Sequence, residues 1–131
     1  MLKPGIKGHK ELIVDEKVTA STYGSGLLDV FATPAMIALI EGAAQESVLN
    51  ELEEGFGTVG TRLDVEHLAA TPVGMRVWCE TELTEVDRRK LVFRAEVYDE
   101  CGLIGRGTHE RFVIDNAKFM SKAQAKTVQA K

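Results

Sequence analysis

This chain has no excess of positive charge. Its 131 residues include 16 Lys and Arg against 20 Asp and Glu, for a net charge of −4. Nucleic acids and anionic membrane surfaces attract a basic field, so the charge balance argues against both as partners. A negatively charged small ligand would instead need a local cluster of arginines.

Cysteines and long apolar runs are also scarce. The two cysteines, Cys79 and Cys101, have no metal-type spacing, which is typical of reduced thiols in a cytoplasmic protein. No apolar run approaches the ~20 residues that span a membrane, and residues 1–5 lack the apolar core of a signal peptide. We therefore expect a cytoplasmic protein with a single domain over residues 1–131, in which about 121–131 form a polar tail.

One long helix is the strongest local signal. Thr33 is a good N-cap residue, Pro34 suits the first helical position and Gly55 is a stop signal, so we expect a helix over about 33–54. The first half of this segment is apolar on nearly every side, which predicts burial, and the second half becomes polar. Glu41 is a carboxylate within the apolar half.

Alternating apolar and polar residues predict five strands around this helix. The expected ranges are 9–15, 58–67, 76–86, 90–99 and 103–114, and the last four would form an antiparallel meander. One helix and five strands have to share a core, so the sheet should curl around the helix. The predicted fold class is α+β.

Three side chains in these elements carry functional groups that enzymes use for acyl transfer: the Thr33 hydroxyl, the Glu41 carboxylate and the His67 imidazole. Each also has a structural explanation, as a helix cap, a paired carboxylate and a hydrogen-bonded histidine. Among apolar neighbours, the Glu41 carboxylate would lose contact with water and would need a compensating partner. Thr33 and Glu41 are eight residues apart, ~12 Å along a helix, so a symmetric dimer or a ligand would have to join them in one site.

Four segments, in order along the chain, resemble the fluoroacetyl-CoA thioesterase-like family. They are residues 31–41 with Thr33 and Glu41, residues 59–61, residues 67–74 with His67, and residues 107–114. The resemblance implies a hotdog fold, in which one long central helix is wrapped by a curved five-stranded antiparallel sheet. It also implies a homodimer whose acyl-CoA sites lie at the interface, and Thr33, Glu41 and His67 as the catalytic residues. The implied reaction is hydrolysis of an acyl-CoA thioester to free acid and coenzyme A, without a metal or cofactor.

Further candidate site residues rest on less specific features of the sequence. The thioester oxygen needs hydrogen-bond donors, and the backbone N–H of Gly60 or those at the helix start are candidates. Arg111 and Arg76 are candidates for the CoA phosphates. His109 follows Gly105 and Gly107 at alternate positions of the same strand, and it is interpreted as structural or supporting. The nucleophile stays open among Glu41, Thr33 and water.

One departure from the family pattern concerns the acyl group. The enzyme that names the family carries aromatic residues in the loop leading into the helix, whereas residues 24–30 here contain Leu27 and Leu28 and no aromatic. The resemblance therefore supports a small acyl-CoA substrate in general and does not extend to the particular halogenated acyl group. The competing hypothesis is a non-catalytic acyl-CoA or small-acid binding module. A hydratase is disfavoured because 33–54 contains no histidine.

Overall fold

The computed structural model describes residues 2–130 and contains five strands, three α-helices and one 3₁₀ turn. In chain order these elements are β1 (Lys7–Ile13), a 3₁₀ turn (Glu16–Val18), α1 (Ala20–Tyr23), α2 (Thr33–Leu49), β2 (Phe56–His67), β3 (Arg76–Asp87), β4 (Lys90–Asp99), β5 (Gly102–Asp115) and α3 (Asn116–Gln129).

The strands form one antiparallel sheet in the order β1-β3-β4-β5-β2. The predicted α+β class with five antiparallel strands is confirmed. The predicted four-strand meander is wrong, because only β3, β4 and β5 follow one another through hairpins. The segment after β2 crosses the sheet, so β2 pairs with β5 and β1 pairs with β3. Within residues 2–130, β2 is therefore an edge strand of 12 residues.

The core lies between α2 and the concave face of the sheet. Alternate residues of β3 and β4 are buried there, as their sequence alternation predicts. Burying one large aliphatic side chain contributes about 1.5–3 kcal/mol. The helix contributes seven buried residues: Ala35, Met36, Leu39, Ile40, Ala43, Ala44 and Val48.

The helix differs from its prediction at both ends and on one face. Its N-cap is Ala32, without a side-chain cap bond, so Thr33 is the first helical residue and not the cap. It ends at Leu49 instead of about Glu54. Beyond Leu49, turn hydrogen bonds between residues three apart replace the helical hydrogen bonds between residues four apart, and the N–H of Glu51 donates to Val48 O. Its first half is not buried on every side, since Ala38 is exposed and one strip of the helix remains open.

The chain after the sheet forms α3, which starts where the Asp115 side chain accepts a hydrogen bond from the N–H of Lys118. Residues 116–130 are all exposed, so residues 121–129 of the expected polar tail belong to a solvated helix, and Lys131 lies outside the described residues. None of the helices within residues 2–130 combines the length and the apolar character needed to cross a membrane.

Candidate active site

Thr33 and His67 meet where the start of α2 faces the end of β2. Thr33 Oγ1 lies 2.8 Å from His67 Nδ1. This contact is possible because Ala32 occupies the cap position and leaves the Thr33 hydroxyl free. The Phe31 ring packs edge-on against the imidazole, with centroids 6.3 Å apart. The other ring nitrogen, Nε2, is buried and has no hydrogen-bond partner among the described residues.

A cavity of about 290 Å³ opens beside this pair. Its wall combines apolar and polar side chains from α1, the loop before α2, the start of α2, the end of β2 and the segment that follows β2. The lining residues are Ala20, Ser25, Val30, Phe31, Thr33, His67, Leu68, Ala69 and Ala70. Leu27, in the loop before α2, is 94% exposed, so its side chain is not part of the cavity wall. The cavity places a hydroxyl and an imidazole against a space that fits a small apolar group.

Glu41 lies two turns further along α2, and its partner is Arg111 of β5. Arg111 Nη1 is 3.3 Å from Glu41 Oε2. The guanidinium is 5% exposed, and it also donates from Nε to Thr58 Oγ1 at 2.8 Å and from Nη2 to Thr58 O at 2.9 Å. The expected apolar surroundings of Glu41 are thus incomplete: its side chain is 39% exposed and faces a buried cation. Thr58 was not anticipated, because nothing in its strand pattern distinguishes it.

The absence of a side chain at Gly60 leaves room for the Glu41 carboxylate beside β2. A Cβ at Gly60 would overlap Glu41 Oε2, and it would lie 3.2 Å from His109 Cε1 and 3.3 Å from Arg111 Nη1. The strand is irregular here, since the register between β2 and β5 shifts between Gly60 and Arg62. A glycine beside a bulge is typical of a strand that another group approaches closely.

His109 is fully buried beside these residues and connects the bulge to the ion pair. Its Nδ1 lies 2.8 Å from Arg62 O, and its Nε2 lies 3.1 Å from Arg111 Nη1. The carbonyl can only accept and the guanidinium can only donate, so Nδ1 carries the proton and Nε2 accepts. The imidazole is therefore neutral. Burial, assisted by the nearby Arg111 charge, lowers the pKa of His109.

The predicted site residues thus form two groups in one chain. Thr33 and His67 make one group, Glu41 and Gly60 belong to the other, and no hydrogen bond within residues 2–130 joins the two. Arg111, expected near the CoA phosphates, lies buried in the second group.

Arg76, the other residue expected near the CoA phosphates, stacks over the Trp78 ring at 4.1 Å and bonds Glu11 on the outer side of the sheet. The CoA contacts of both arginines stay predictions.

The half-buried His67 and the fully buried His109 predict how stability depends on pH. Burial lowers the pKa of His67 and of His109 below the usual 6.5. The unfolded chain then binds more protons than the folded chain below that pH, so this stabilisation is present above about pH 6.5 and is lost as the pH falls below it. We expect Tm to decrease between about pH 7.5 and about pH 5.5, measured by thermal unfolding, and to decrease less in His67→Gln.

His9 provides the control for this pH dependence. Hydrogen bonds to Glu11 and Glu80 raise the pKa of its exposed imidazole, so its contribution is largest at low pH and is lost as the pH rises. His9→Gln should therefore leave the acid-side decrease in Tm intact or make it steeper. A Tm that stays constant or rises towards pH 5.5 in the unmodified protein would contradict the assignment.

Comparisons with known proteins identify the family. The family model described as "FlK: Fluoroacetyl-CoA-specific thioesterase" matches residues 14–117. The fluoroacetyl-CoA thioesterase of Streptantibioticus cattleyicolor is 43% identical over 99 residues, which are 76% of this chain and 71% of that protein.

Solved structures agree with this result. A variant of the thioesterase FlK in complex with acetyl-CoA has a TM-score of 0.92 at 35% identity, covering 96% of this chain and 99% of that one. A hypothetical protein of Thermus thermophilus, described as a thioesterase superfamily member, has a TM-score of 0.87 at 28% identity and covers 98% of this chain and 97% of its own. The predicted hotdog fold is confirmed. The chain belongs to the fluoroacetyl-CoA-specific thioesterase family and is a thioester hydrolase that acts on acyl-CoA.

Proposed function

We propose that this protein hydrolyses a small acyl-CoA thioester to the free acid and coenzyme A in a composite site of a homodimer. In this site, Thr33 and His67 of one protomer face Glu41, held by Gly60 and Arg111, of its partner. The observation that carries the proposal is the placement of these two groups at separate positions, Gly60 and His67, along the same edge strand. The cytoplasmic location expected from the sequence stays a prediction.

The geometry of β2 supports a two-fold arrangement. Gly60 and His67 are seven residues apart, or about 23 Å along a strand, so one chain holds them too far apart for one reacting group. An antiparallel pairing of two β2 strands about a two-fold axis between Leu63 and Asp64 brings Gly60 of one beside His67 of the other. The same operation creates two equivalent sites.

The surface beside β2 also favours a second copy. Within residues 2–130, β2 has a partner strand only on its β5 side, so its outer edge presents a row of free N–H and C=O groups, which proteins normally pair or cover. The strip of α2 next to it is half-open and mostly apolar, with Ile37 half-buried and Ala38 exposed. Both the Thr33 end and the Glu41 position of this strip contact β2, so a partner that pairs with the strand would also cover the strip.

The chemistry requires an ionised carboxylate, a neutral imidazole and polarisation of the carbonyl group. The buried Arg111 guanidinium pairs with the Glu41 carboxylate, which can take a proton from water or attack the thioester carbon itself. Burial lowers the pKa of His67, so its imidazole is neutral at pH 7 and can take or give a proton, while Thr33 Oγ1 orients the ring through Nδ1. A C–O bond from water or from the carboxylate forms at the thioester carbon as the C–S bond breaks, and the thiolate, whose thiol has a pKa of ~8.5, leaves without strong acid assistance and takes up a proton. If the carboxylate attacks, water then hydrolyses the resulting anhydride and regenerates Glu41.

The acetyl-CoA complex of the relative and the cavity beside His67 support a short acyl chain. A volume of about 290 Å³ lined by alanines, a valine and a phenylalanine fits a small apolar group. The assay is therefore thiol release from acetyl-CoA and a few short or branched acyl-CoAs, followed with a thiol reagent.

Mixed dimers test the composite site directly. Glu41→Gln and His67→Ala proteins are each expected to be inactive, and they are then unfolded together and reassembled. If the two residues act across the interface, half of the dimers are heterodimers with one intact site, which restores about a quarter of the unmodified activity. The readout is thiol release, and size-exclusion chromatography confirms that dimers form.

A mixture that stays as inactive as its parents would overturn the composite site, because residues acting within one chain cannot complement each other. An unmodified protein that binds acyl-CoA saturably but releases no thiol would instead support the binding-module hypothesis.

A further inference from the structure

We propose that His109 is a positioning residue for Glu41: its neutral imidazole holds Arg111 in the orientation that keeps the Glu41 carboxylate against Gly60. This inference rests on the proposed role of Glu41 and extends the active site by one residue. His109 itself does not contact Glu41, so its effect has to pass through the guanidinium.

The contacts form a chain with a fixed direction. The N–H at Nδ1 of His109 donates to Arg62 O at 2.8 Å, and Nε2 accepts from Arg111 Nη1 at 3.1 Å. The same Nη1 donates to Glu41 Oε2 at 3.3 Å. Arg62 O belongs to the residue at the β2 bulge, so the ion pair is anchored to the irregular part of the edge strand.

The surroundings of His109 allow only one protonation form of its imidazole. His109 is completely buried, its ring lies 6.2 Å from that of Phe93, and Gly60 lies beside its Cε1. A proton on Nε2 would point an N–H or a positive charge at the guanidinium, which can only donate. The ring therefore has to remain in the Nδ1–H form for Arg111 to keep its present position.

Arg111 needs this support because its other contacts hold only one edge of the guanidinium. Nε and Nη2 are both bonded to Thr58, so the planar group can still tilt about that edge and move Nη1. Nη1 is the nitrogen that faces Glu41, and His109 is its other partner. A shift of about 1 Å in a reacting group can lower the rate ~100-fold, so a small tilt of this plane is enough to matter.

Two substitutions of His109 distinguish a role in positioning Glu41 from a purely structural role. The Oε1 atom of a glutamine can reach the position of Nε2 and accept from Arg111, whereas an asparagine reaches only the position of Nδ1 and keeps the bond to Arg62 O. We expect His109→Asn to lower kcat about 10- to 100-fold with KM for the acyl-CoA nearly unchanged, and His109→Gln to restore kcat to within about threefold. If the residue only anchored the bulge, His109→Asn would be the more active variant, and that result would overturn the proposal.

A double variant distinguishes failure of this inference from failure of the proposed function. If His109 acts through Glu41, His109→Asn should lower kcat no further in the Glu41→Gln background. A full additional loss in that background overturns the positioning role and leaves Glu41 unaffected. A Glu41→Gln protein with normal activity would instead overturn the proposed function itself.

The unmodified protein supplies a measurement that does not depend on the folding of any variant. Nitrogen-15 NMR of the histidine rings should show His109 as the neutral tautomer with the proton on Nδ1 at neutral pH. Detection of the Nε2–H tautomer or of an imidazolium would overturn the proposal, because neither form can accept from Arg111.

Discussion

Replacing Glu41 by glutamine should lower kcat for acyl-CoA hydrolysis about 100-fold or more. The amide keeps the size of the side chain, but it can neither take a proton from water nor form an anhydride with the acyl group. It also leaves the buried Arg111 without its anionic partner. Steady-state thiol release measures the effect, and thermal unfolding separates it from loss of the folded protein.

The control for this substitution is Glu46→Gln on the same helix. Glu46 is exposed and pairs with Lys10 at the surface, away from the proposed site. Surface ion pairs contribute about 0–1 kcal/mol, so we expect nearly unchanged kcat and Tm. If Glu41→Gln behaves like Glu46→Gln, Glu41 is neither base nor nucleophile.

Replacing Gly60 by alanine should lower kcat about 100-fold while Tm changes little. The added Cβ would overlap Glu41 Oε2, which is the mobile end of a side chain, so the carboxylate moves and the backbone does not have to. The folded state therefore survives, but the carboxylate loses its position between β2 and Arg111.

Gly57→Ala in the same strand provides the matched control. A Cβ there would meet Asn116 Oδ1 at 2.9 Å, again the end of a flexible side chain, at the other end of β2 from His67. We expect normal kcat for Gly57→Ala. Normal kcat for Gly60→Ala as well would show that the carboxylate does not need its present place. A large loss of Tm in Gly60→Ala alone would indicate a structural role for this glycine.

Local patterns in the sequence determined most of the elements. The alternation in residues 76–99 predicted β3 and β4 almost to the residue, because one face of each strand is buried and the other is not. The glycines at 105 and 107 predicted close approach, and a Cβ at Gly105 would lie 2.5 Å from Met36 Sδ. Pro34 marked the start of α2. These features depend on neighbours along the chain, which the sequence displays directly.

The order of the strands depended on contacts that local patterns do not encode. The alternation in β2 would be the same beside β3 or beside β5, so the meander was a reasonable but wrong inference from sequence adjacency. The role of the Thr33 hydroxyl was likewise undecided, since a cap bond and a bond to His67 use the same side chain.

The sequence by itself therefore determined the fold class, the family and which residue types are available for acyl transfer. Only the tertiary structure decided how they are grouped: Thr33 with His67, and Glu41 with Gly60, Arg111, Thr58 and His109. The physical reason is that β5 pairs with β2 on both sides of the bulge. This pairing brings Arg111 within reach of the Glu41 carboxylate, which lies 70 residues earlier in the chain.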